Sequence, residues 1–453
     1  MSTNGFDVRI YPSGPLGGYV AAPPSKNATT RLILGAALAA GTSLIRRPAA
    51  NDDARALVGC CRALGARIDE VAGDLAITGV AGAPRSPGRL NPGNAGAVLR
   101  LLLGTACLVE GEVLFETEFK DSLGKRPNED LLAALRQLGA EAEGTGPQGT
   151  LPIRIAGGRG RVRGGPVRVC GARSSQFLSS LLFLTPTLVG HSDIYVTGAD
   201  VAGEPARPPV LVSRPLIDQT LEALGEFGLT LRTDFEHLHF FVPGGQRGQA
   251  GEIAVNGDWP SGAALMAAVA VAGGMATFYN LVSDAQGEHR AAPWLAAMGC
   301  AIDSPRPGEW ILHSKAELRA ARFDGDLATD AVLALVGAAC LAEGTSRFDN
   351  IANLRLKECD RIREPLEELA KIGVEARSGE DWIEVTGRPE GYEGGIEVDS
   401  RGDHRVAQLL AIVGLRCARG LIIRRAEHIA KSYPDFFADL QRLGVKLELI
   451  AAR

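Results

Sequence analysis

The segment Ala63-Leu64-Gly65-Ala66-Arg67-Ile68 joins a helical apolar pattern to a short strand-like stretch through one glycine. The same arrangement recurs around Gly139, Gly228, Gly299, Gly373 and Gly444. Glycine is favoured where a helix ends and the chain turns through a left-handed conformation. The glycines recur every 71 to 89 residues, a spacing that fits a whole βαβ unit and is too long for a solenoid repeat. The chain is therefore predicted to contain six copies of one α/β unit.

A further helix in each unit begins with short polar residues and continues as a small, apolar run. The six starts are Asn27-Ala28-Thr29-Thr30-Arg31, Asn94-Ala95-Gly96-Ala97, Ser174-Ser175-Gln176, Ser261-Gly262-Ala263, Thr329-Asp330-Ala331 and Asp403-His404-Arg405. All six begin with residues typical of helix N-caps. One such start is explained by capping alone. Because helix N-termini attract anions, six together favour a shared surface that faces a ligand.

Length and composition favour a two-domain globular protein. A chain of 453 residues exceeds what one hydrophobic core usually supports, so six units divide naturally into three and three. Hydrophobic residues make up 45% and charged residues 22% of the chain, which is ordinary for a globular protein. No apolar run reaches the roughly 18 to 20 residues of a membrane span. The start of the chain, through Asp7, lacks a signal pattern, and a cytoplasmic location is expected.

The cysteines and histidines give no indication of a metal site. Free, buried thiols are expected because the eight cysteines include no CxxC pair; they lie at Cys60, Cys61, Cys107, Cys170, Cys300, Cys340, Cys359 and Cys417. The seven histidines show no HExxH or similar ligand spacing. We therefore expect no metal ion and no cofactor.

The distribution of charge favours an anionic small-molecule ligand. A net charge of −5 argues against a nucleic-acid-binding surface. Cations nevertheless gather at the polar ends of the repeated units, as Lys26, Arg31, Arg100, Lys125, Arg126, Lys357, Arg361, Arg405 and Lys431. The chain contains no GxxxxGK[ST] motif and no GxGxxG after a strand, so a Walker ATPase and a Rossmann dehydrogenase are excluded.

Several ordered segments resemble the signature blocks of the 5-enolpyruvylshikimate-3-phosphate (EPSP) synthases. They are Pro24-Ser25-Lys26 through Arg31, Asn94-Ala95-Gly96 through Arg100, Lys125-Arg126-Pro127, Ser174 through Leu178, Asn353 through Arg361, Asp403-His404-Arg405 and Lys431 through Asp435. The resemblance runs from about residue 8 to the C-terminus. Several blocks in the correct order on a sixfold α/β chain are far more specific than any one block.

The resemblance implies transfer of the enolpyruvyl group from phosphoenolpyruvate to the 5-hydroxyl of shikimate 3-phosphate, a step of the shikimate pathway. It implies an inside-out α/β fold of two similar domains, each with three βαβαββ units whose helices pack inside. The expected domains are residues 23–253 (upper) and residues 1–22 with 254–453 (lower), joined near Ala22 and Ala254. They are expected to close like a hinge on a substrate cleft. The family default is a monomer.

The resemblance also assigns residues to each substrate. Those that would contact phosphoenolpyruvate are Lys26, Gly96, Arg126, Gln176, Arg361, Arg405 and Lys431. Those that would hold shikimate 3-phosphate are Lys26, Asn27, Arg31, Ser174, Ser175, Gln176, Ser213, Asp330, Asn353 and Lys357. These residue types suit the chemistry, because only clustered cations and helix N-termini can offset the repulsion between two anionic substrates.

The implied mechanism is addition followed by elimination through a tetrahedral ketal, which needs groups that transfer protons. Asp330 and Glu358 are the candidate carboxylates, and Lys26 is their candidate partner acid or base. An N-cap is the alternative role for Asp330, and an ion pair with a neighbouring arginine is the alternative for Glu358. For His404, orientation or capping is as good an explanation as proton transfer. Lys431, which precedes a mobile-looking turn, is expected to contact the departing phosphate.

Three positions depart from the family pattern. Asn27 stands where a serine is usual, Ala97 replaces a usual threonine, and Leu216 stands where a tyrosine is common. They weaken the case for the shikimate acceptor more than for the phosphoenolpyruvate donor. The resemblance also implies that glyphosate competes with phosphoenolpyruvate, because Gly96 leaves room that a larger residue would fill.

Two alternative functions follow. The first is an enolpyruvyl transferase with another hydroxyl acceptor, such as a specialised metabolite, a nucleotide or a UDP-amino sugar. The loop of residues 120–125 lacks the cysteine of the amino-sugar enzymes, which disfavours the last of these. The second is a non-catalytic, ligand-binding homologue. It is disfavoured by the retention of Lys26, Arg126, Asp330, Glu358, Arg361, His404 and Lys431.

Overall fold

The computed structural model describes residues 5–158, 160–198 and 208–451. Within these ranges the chain forms twelve α-helices, joined in places by short 3₁₀ turns. The helices are α1 (Lys26–Leu38), α2 (Asp52–Ala63), α3 (Gly96–Ala106), α4 (Glu129–Gln137), α5 (Ser175–Leu184), α6 (Arg214–Glu226), α7 (Trp259–Ala272), α8 (Ala291–Ala297), α9 (Val332–Ala339), α10 (Arg363–Ile372), α11 (His404–Gly414) and α12 (Phe436–Arg442).

The same ranges contain 24 β-strands. They are β1 (Phe6–Ile10), β2 (Leu16–Ala21), β3 (Thr42–Arg46), β4 (Arg67–Val71), β5 (Asp74–Thr78), β6 (Arg89–Leu90), β7 (Gly111–Phe115), β8 (Glu141–Thr145), β9 (Thr150–Gly157), β10 (Pro166–Cys170), β11 (Ser192–Thr197), β12 (Arg232–Asp234), β13 (His239–Val242), β14 (Glu252–Ala254), β15 (Gly274–Leu281), β16 (Ala301–Arg306), β17 (Gly308–Ser314), β18 (Arg322–Asp324), β19 (Thr345–Asp349), β20 (Glu375–Ser378), β21 (Ile383–Thr386), β22 (Ile396–Asp399), β23 (Leu421–Arg424) and β24 (Leu447–Ala451).

The described strands form six four-stranded sheets of one design. In the sheet β14-β3-β5-β4, for example, β14 and β3 are parallel, and the remaining pairs are antiparallel. The other sheets have the orders β6-β7-β9-β8, β10-β11-β13-β12, β16-β17-β15-β2, β18-β19-β21-β20 and β22-β23-β1-β24. The predicted sixfold α/β repeat is confirmed.

The chain forms two compact units, Ser25–Val255 and Met1–Pro24 with Asn256–Arg453. The first contains three of the sheets, and β14 completes its first sheet by pairing with β3. The helices α1, α3 and α5 are buried over most of their lengths and contribute to its core. The second unit has the same design, with α7, α9 and α11 in its core.

The six glycines of the repeated segment all adopt the predicted conformation. Their φ angles are positive and run from 71° at Gly228 to 113° at Gly299. In this region a Cβ atom strains the backbone. Glycine therefore allows an unstrained turn after each of the helices α2, α4, α6, α8, α10 and α12.

The predicted caps of the inner helices are only partly correct. Ser174 caps α5 and Asp403 caps α11 through their side chains, as expected. The caps of α1 and α7 are instead Ser25 and Asp258, which lie a few residues earlier than the polar residues that the pattern singled out.

The helices α3 and α9 begin without a side-chain cap, so the cap predicted at Asn94 and the alternative role of Asp330 as an N-cap are wrong. Asn94 lies one residue too early, because the N-cap position of α3 is Ala95. Asp330 lies in a 3₁₀ turn, Gly325–Ala331, that precedes α9. Its carboxylate instead accepts a hydrogen bond from an arginine.

Candidate active site

In the unit Ser25–Val255, the first residue of α1 forms an ion pair with a buried carboxylate. The Nζ atom of Lys26 lies 3.4 Å from Oδ2 of Asp53, which belongs to the first turn of α2. Asp53 is only about 4% exposed, so this pair is screened less by water than a surface pair is. The neighbouring Asn27 is also buried. The start of α1 is therefore held against α2 by charge.

Arg31, one helical turn further along α1, is buried and donates hydrogen bonds to groups of its own unit. Its Nε donates to Oγ1 of Thr220 (2.9 Å), and its Nη2 donates to the carbonyl oxygen of Leu216 (3.0 Å). Its Nη1 donates to the carbonyl oxygen of Asn27 (3.0 Å). Arg31 therefore links α1 to α6, and the substrate contact expected of it stays a prediction.

Gly96 and Arg126 lie against each other. Gly96 is the first residue of α3, and Arg126 follows a short 3₁₀ turn at Leu123–Lys125. An atom added at the Cβ position of Gly96 would overlap Nη1 of Arg126. The guanidinium group of Arg126 therefore occupies the space that a side chain at position 96 would need.

The start of α5 carries three of the predicted residues. Oγ of Ser174 accepts the backbone N–H of Gln176 (3.3 Å), and Ser175 is buried. Arg100, from α3, donates to both the Ser174 and Gln176 side chains. Ser213 is the N-cap residue of α6 and has a left-handed backbone, with φ of 52°.

In the other unit, Arg361 binds three carboxylates. Its Nη1 lies 3.2 Å from Oδ1 of Asp330, and its Nη2 lies 2.9 Å from Oε2 of Glu358. It also forms a two-point contact with Asp403, with Nε at 2.7 Å from Oδ2 and Nη2 at 3.2 Å from Oδ1. Arg361 is 2% exposed, and such charge-assisted, bidentate bonds fix geometry more strongly than neutral ones.

Two lysines extend this group, which we call the Arg361 cluster. Lys431 Nζ lies 2.9 Å from Oε1 of Glu358, and Lys357 Nζ lies 3.6 Å from Oδ1 of Asp330. The cluster therefore consists of Asp330, Lys357, Glu358, Arg361, Asp403 and Lys431. Five of these residues had predicted roles in substrate binding or proton transfer, and the contacts bring them together: Asp330, Lys357, Glu358, Arg361 and Lys431.

His404, Arg405 and Asn353 lie close to the cluster in sequence and are buried. His404 Nδ1 is 3.7 Å from Oδ1 of Asp403, and the backbone N–H of Arg405 donates to the same oxygen (2.7 Å). Arg405 Nη1 donates to Gln408 (3.1 Å). Asn353 belongs to the 3₁₀ turn Ala352–Leu356. Asp403 thus caps α11, orients its first turn and binds Arg361.

Two buried ionisable groups of this unit have raised pKa values, for different reasons. Burial alone would lower the pKa of Arg361, but the carboxylates of Asp403, Glu358 and Asp330 outweigh it and raise that pKa. Glu288 is 3% exposed, and its Oε1 accepts the backbone N–H of Asp330 (3.2 Å). Burial, followed by the negative charge of Asp330, raises the pKa of Glu288 to about 7.

Three acidic residues that contact the predicted site residues had no predicted site role of their own. The sequence predicted Asp403 only as part of a helix start, from its position before a helical run. Asp53 follows another acid at the start of α2, where acidic residues are common. Nothing in the sequence marked Glu288.

Among the described residues, no group of three His, Cys, Asp or Glu side chains is placed to hold a metal ion. No described helix is both long and apolar enough to cross a membrane.

The Arg361 cluster and the Lys26–Asp53 pair each combine cationic donors with carboxylates, an arrangement suited to binding anions and transferring protons. Comparison with known proteins finds similarity over nearly the whole chain. The family model described as EPSP synthase (3-phosphoshikimate 1-carboxyvinyltransferase) matches residues 10–440. A 3-phosphoshikimate 1-carboxyvinyltransferase of Deinococcus radiodurans is 42% identical over 449 residues, which are 99% of this chain and 98% of that relative.

More distant relatives show the same full-length similarity. A 3-phosphoshikimate 1-carboxyvinyltransferase of Burkholderia pseudomallei is 34% identical over 97% of this chain and 95% of its own length. A solved EPSP synthase from Acinetobacter baumannii superimposes with a TM-score of 0.78 at 26% identity, covering 98% of this chain and 99% of that chain. The similarity therefore spans both compact units.

Proposed function

The chain belongs to the EPSP synthase (3-phosphoshikimate 1-carboxyvinyltransferase) family, and from that premise we propose that it transfers the enolpyruvyl group of phosphoenolpyruvate to the 5-hydroxyl of shikimate 3-phosphate. Inorganic phosphate is the second product. The reaction belongs to the shikimate pathway, which leads to chorismate and the aromatic amino acids.

The observation that carries the proposal is the Arg361 cluster. It places two carboxylates, Asp330 and Glu358, on one buried arginine, with lysines beside each of them. Carboxylates held by several cations suit a site that must bind anionic substrates and also exchange protons with them. A protein that only stored or carried a ligand would have no need for the second of these properties.

The proposed contacts with phosphoenolpyruvate come from cations and from donors at helix starts. They are Lys26, Gly96, Arg126, Gln176, Arg361, Arg405 and Lys431. Shikimate 3-phosphate is proposed to contact Lys26, Asn27, Arg31, Ser174, Ser175, Gln176, Ser213, Asp330, Asn353 and Lys357. The support is chemical, because both substrates carry phosphate and carboxylate groups that need several donors each.

The chemistry requires proton transfer in both halves of the reaction. In the addition, the 5-hydroxyl oxygen bonds to C2 of phosphoenolpyruvate, its proton departs and a proton is added to C3. In the elimination, the bond from C2 to the phosphate oxygen breaks and C3 loses a proton. We assign these transfers to Asp330 and Glu358, with Lys26 as the partner acid or base. His404 orients this group or joins the transfers.

The two units must act on the same pair of substrates for this reaction. The proposed residues of Ser25–Val255 and those of the other unit serve both substrates, and neither set by itself contains every group that the mechanism uses. We therefore propose that residues 23–253 and residues 1–22 with 254–453 work as two domains that close on bound substrate.

The experiment that tests the function follows phosphate release together with mass detection of the condensed product, from purified protein, phosphoenolpyruvate and shikimate 3-phosphate. Asp330→Asn keeps the size of the side chain and removes its charge, so turnover should fall by about 10²- to 10⁴-fold. The matched control is Asp303→Asn, an exposed acid on β16, which should retain full turnover.

Titration of the same protein with each substrate, beside the turnover assay, separates the proposal from its alternatives. Binding of phosphoenolpyruvate but not of shikimate 3-phosphate, without product, would indicate another hydroxyl acceptor, in line with the departures at Asn27 and Leu216. Binding of both substrates without turnover would identify a non-catalytic homologue. Product formation that is unaffected in Asp330→Asn would leave the function intact and remove the role assigned to that carboxylate.

The proposed setting is a monomer in the cytoplasm. All eight cysteines are free thiols, and seven of them are buried. Reduced thiols are the state that the cytoplasm maintains. The mass of the protein in solution, measured by light scattering with and without substrates, tests the monomer.

A further inference from the structure

Arg100 is a buried arginine of α3 whose guanidinium group is used by segments that carry proposed substrate contacts. It is 4% exposed. Its Nη1 donates to Oγ of Ser174 (3.1 Å) and to Oε1 of Gln176 (2.9 Å). Its Nε donates to Oδ1 of Asn128 (3.3 Å), and its Nη2 donates to the carbonyl oxygen of Pro127 (3.2 Å). A single side chain thus binds the start of α5 and the segment before α4.

The contacts on the α4 side reach Arg126. Nδ2 of Asn128 donates to the carbonyl oxygen of Arg126 (2.8 Å) and to that of Gly149 (3.2 Å). Because Arg100 fixes the oxygen of the Asn128 amide, it also fixes the direction of this donor. The ring centroid of Phe177, on α5, lies 4.9 Å from the guanidinium carbon of Arg100. The π face of the ring attracts the guanidinium cation.

The contacts on the α5 side set which groups remain available to a ligand. A guanidinium group has only donors, so the oxygen of the Gln176 amide must face Arg100, and its NH₂ group must point elsewhere. Oγ of Ser174 accepts from Arg100 and also from the backbone N–H of Gln176 (3.3 Å). With these two bonds accepted, the hydroxyl hydrogen of Ser174 is the part that it can give to a ligand.

We propose that Arg100 is a positioning residue that sets the hydrogen-bond polarity of Ser174 and Gln176, so that both present donors to the anionic groups of the substrates. This inference deepens the proposed function and rests on it for the identity of the substrates. The anion need not touch Arg100, since the arginine acts through the two side chains that it orients. Without it, the Gln176 amide could turn its oxygen toward a phosphate or carboxylate, which would repel it.

The test compares Arg100→Met, Gln176→Met and the double variant, with Arg136→Met as a control. Arg136 is an arginine of the same unit that binds the carbonyl oxygen of Ala142 (2.7 Å) and the carboxylate of Glu129, neither of which is a proposed substrate contact. Because hydrogen bonds to charged groups are stronger than those between neutral groups, Arg100→Met should raise the KM of one or both substrates by roughly ten-fold or more. Its kcat should change much less than its KM.

The double variant distinguishes positioning from a general loss of structure. If Arg100 acts through Gln176, the two changes remove the same interaction. The KM of the double variant should then exceed that of the more severe single variant by no more than about three-fold. Fully additive effects would overturn the inference. So would KM values in Arg100→Met that stay within two-fold of the Arg136→Met control. Arg100→Lys keeps a buried cation and serves if the methionine variant fails to fold; it should retain part of the lost affinity.

Binding measurements keep the inference separate from the proposed function. Calorimetric titration of each variant with shikimate 3-phosphate and with inorganic phosphate needs no turnover. Weaker binding of either anion by Arg100→Met, with no turnover in the unaltered protein, would support the positioning role and contradict the proposed reaction. Normal turnover in the unaltered protein, with unchanged anion binding in Arg100→Met, would support the reaction and overturn the positioning role.

Discussion

Lys431 and Glu358 form a buried ion pair in which Nζ lies 2.9 Å from Oε1. The other oxygen of Glu358 accepts from Arg361, at 2.9 Å. The carboxylate is therefore held at both ends by cations, and both side chains of the pair are 7% exposed. The contact of Lys431 with the departing phosphate stays a prediction, and the structure shows that its ammonium group binds Glu358.

Lys431→Met should impair both binding and turnover. Loss of the ammonium group removes a cation proposed to stabilise the leaving phosphate, and such groups contribute about 10²-fold or more to turnover. We expect kcat to fall by roughly that factor and the KM for phosphoenolpyruvate to rise. Steady-state phosphate release measures both. Lys371→Met is the control, because Lys371 pairs with Glu368 at 2.7 Å, outside the cluster. Values within two-fold of the unaltered protein would remove the role of Lys431.

Gly96→Ala should weaken the binding of phosphoenolpyruvate without unfolding the protein. The added methyl group overlaps Nη1 of Arg126, which can move because it is the end of a flexible side chain. Displacing a charged donor costs about 1.5–3 kcal/mol, so the KM for phosphoenolpyruvate should rise roughly ten-fold or more. Glyphosate should inhibit less if it competes for the same place.

The control for this substitution is Gly59→Ala, since a Cβ atom at Gly59 of α2 meets nothing within 4 Å. It should leave both kinetic constants unchanged and, as an alanine in a helix, should not lower stability. An unchanged KM in Gly96→Ala would show that the position of Arg126 does not matter to phosphoenolpyruvate.

Asp53→Asn should lower catalytic efficiency through Lys26. The carboxylate of Asp53 lies 3.4 Å from Nζ of Lys26 and is buried. Removing it leaves the lysine less well placed, and we expect kcat/KM to fall by about ten-fold. The neighbouring Asp52→Asn is a close control because Asp52 is exposed and pairs with Arg55. Equal effects of the two variants would show that the Lys26–Asp53 pair does not support catalysis.

Much of the fold could be predicted because the repeat is written in local sequence. The turn at Gly65 needs a left-handed residue, and the same need at the five equivalent positions produces a visible period. Cap positions were less predictable. Asn94 and Asp330 are of residue types that often cap helices. The actual start of a helix, however, depends on the preceding turn and on tertiary partners.

The candidate site could be predicted only in part, for a related reason. Charged residues in repeated positions, such as Arg361, stand out in the sequence. Their partners do not, because a contact such as that between Glu288 and the backbone N–H of Asp330 joins residues 42 positions apart. Burial of a single carboxylate has no local pattern. For Arg31 the family resemblance implies a substrate contact, which stays a prediction, whereas its bonds to Thr220 and Leu216 had no signal in the sequence.

Glu288 gives the folded protein a distinct dependence on pH. Its pKa is raised from 4.5 to about 7, first by burial and then by the nearby negative charges of Asp330 and Asp258. The folded state therefore binds one more proton than the unfolded state between these values, and stability contributed by this group falls as the pH rises through that window. Above about pH 7 the full cost is present, on the order of 3 kcal/mol.

Glu288→Gln should remove this cost while keeping an oxygen for the backbone N–H of Asp330. We expect the gain in stability over the unaltered protein to be small near pH 5, to grow up to about pH 7 and then to level off. Urea denaturation of both proteins at several pH values measures the difference. Glu390→Gln, at an exposed position, should give a difference that does not change with pH. If the curve for Glu288→Gln ran parallel to that of the unaltered protein, the carboxyl group of Glu288 would be ionised across the whole range, and the negative charges around Asp330 would have to be balanced by the cations of the Arg361 cluster.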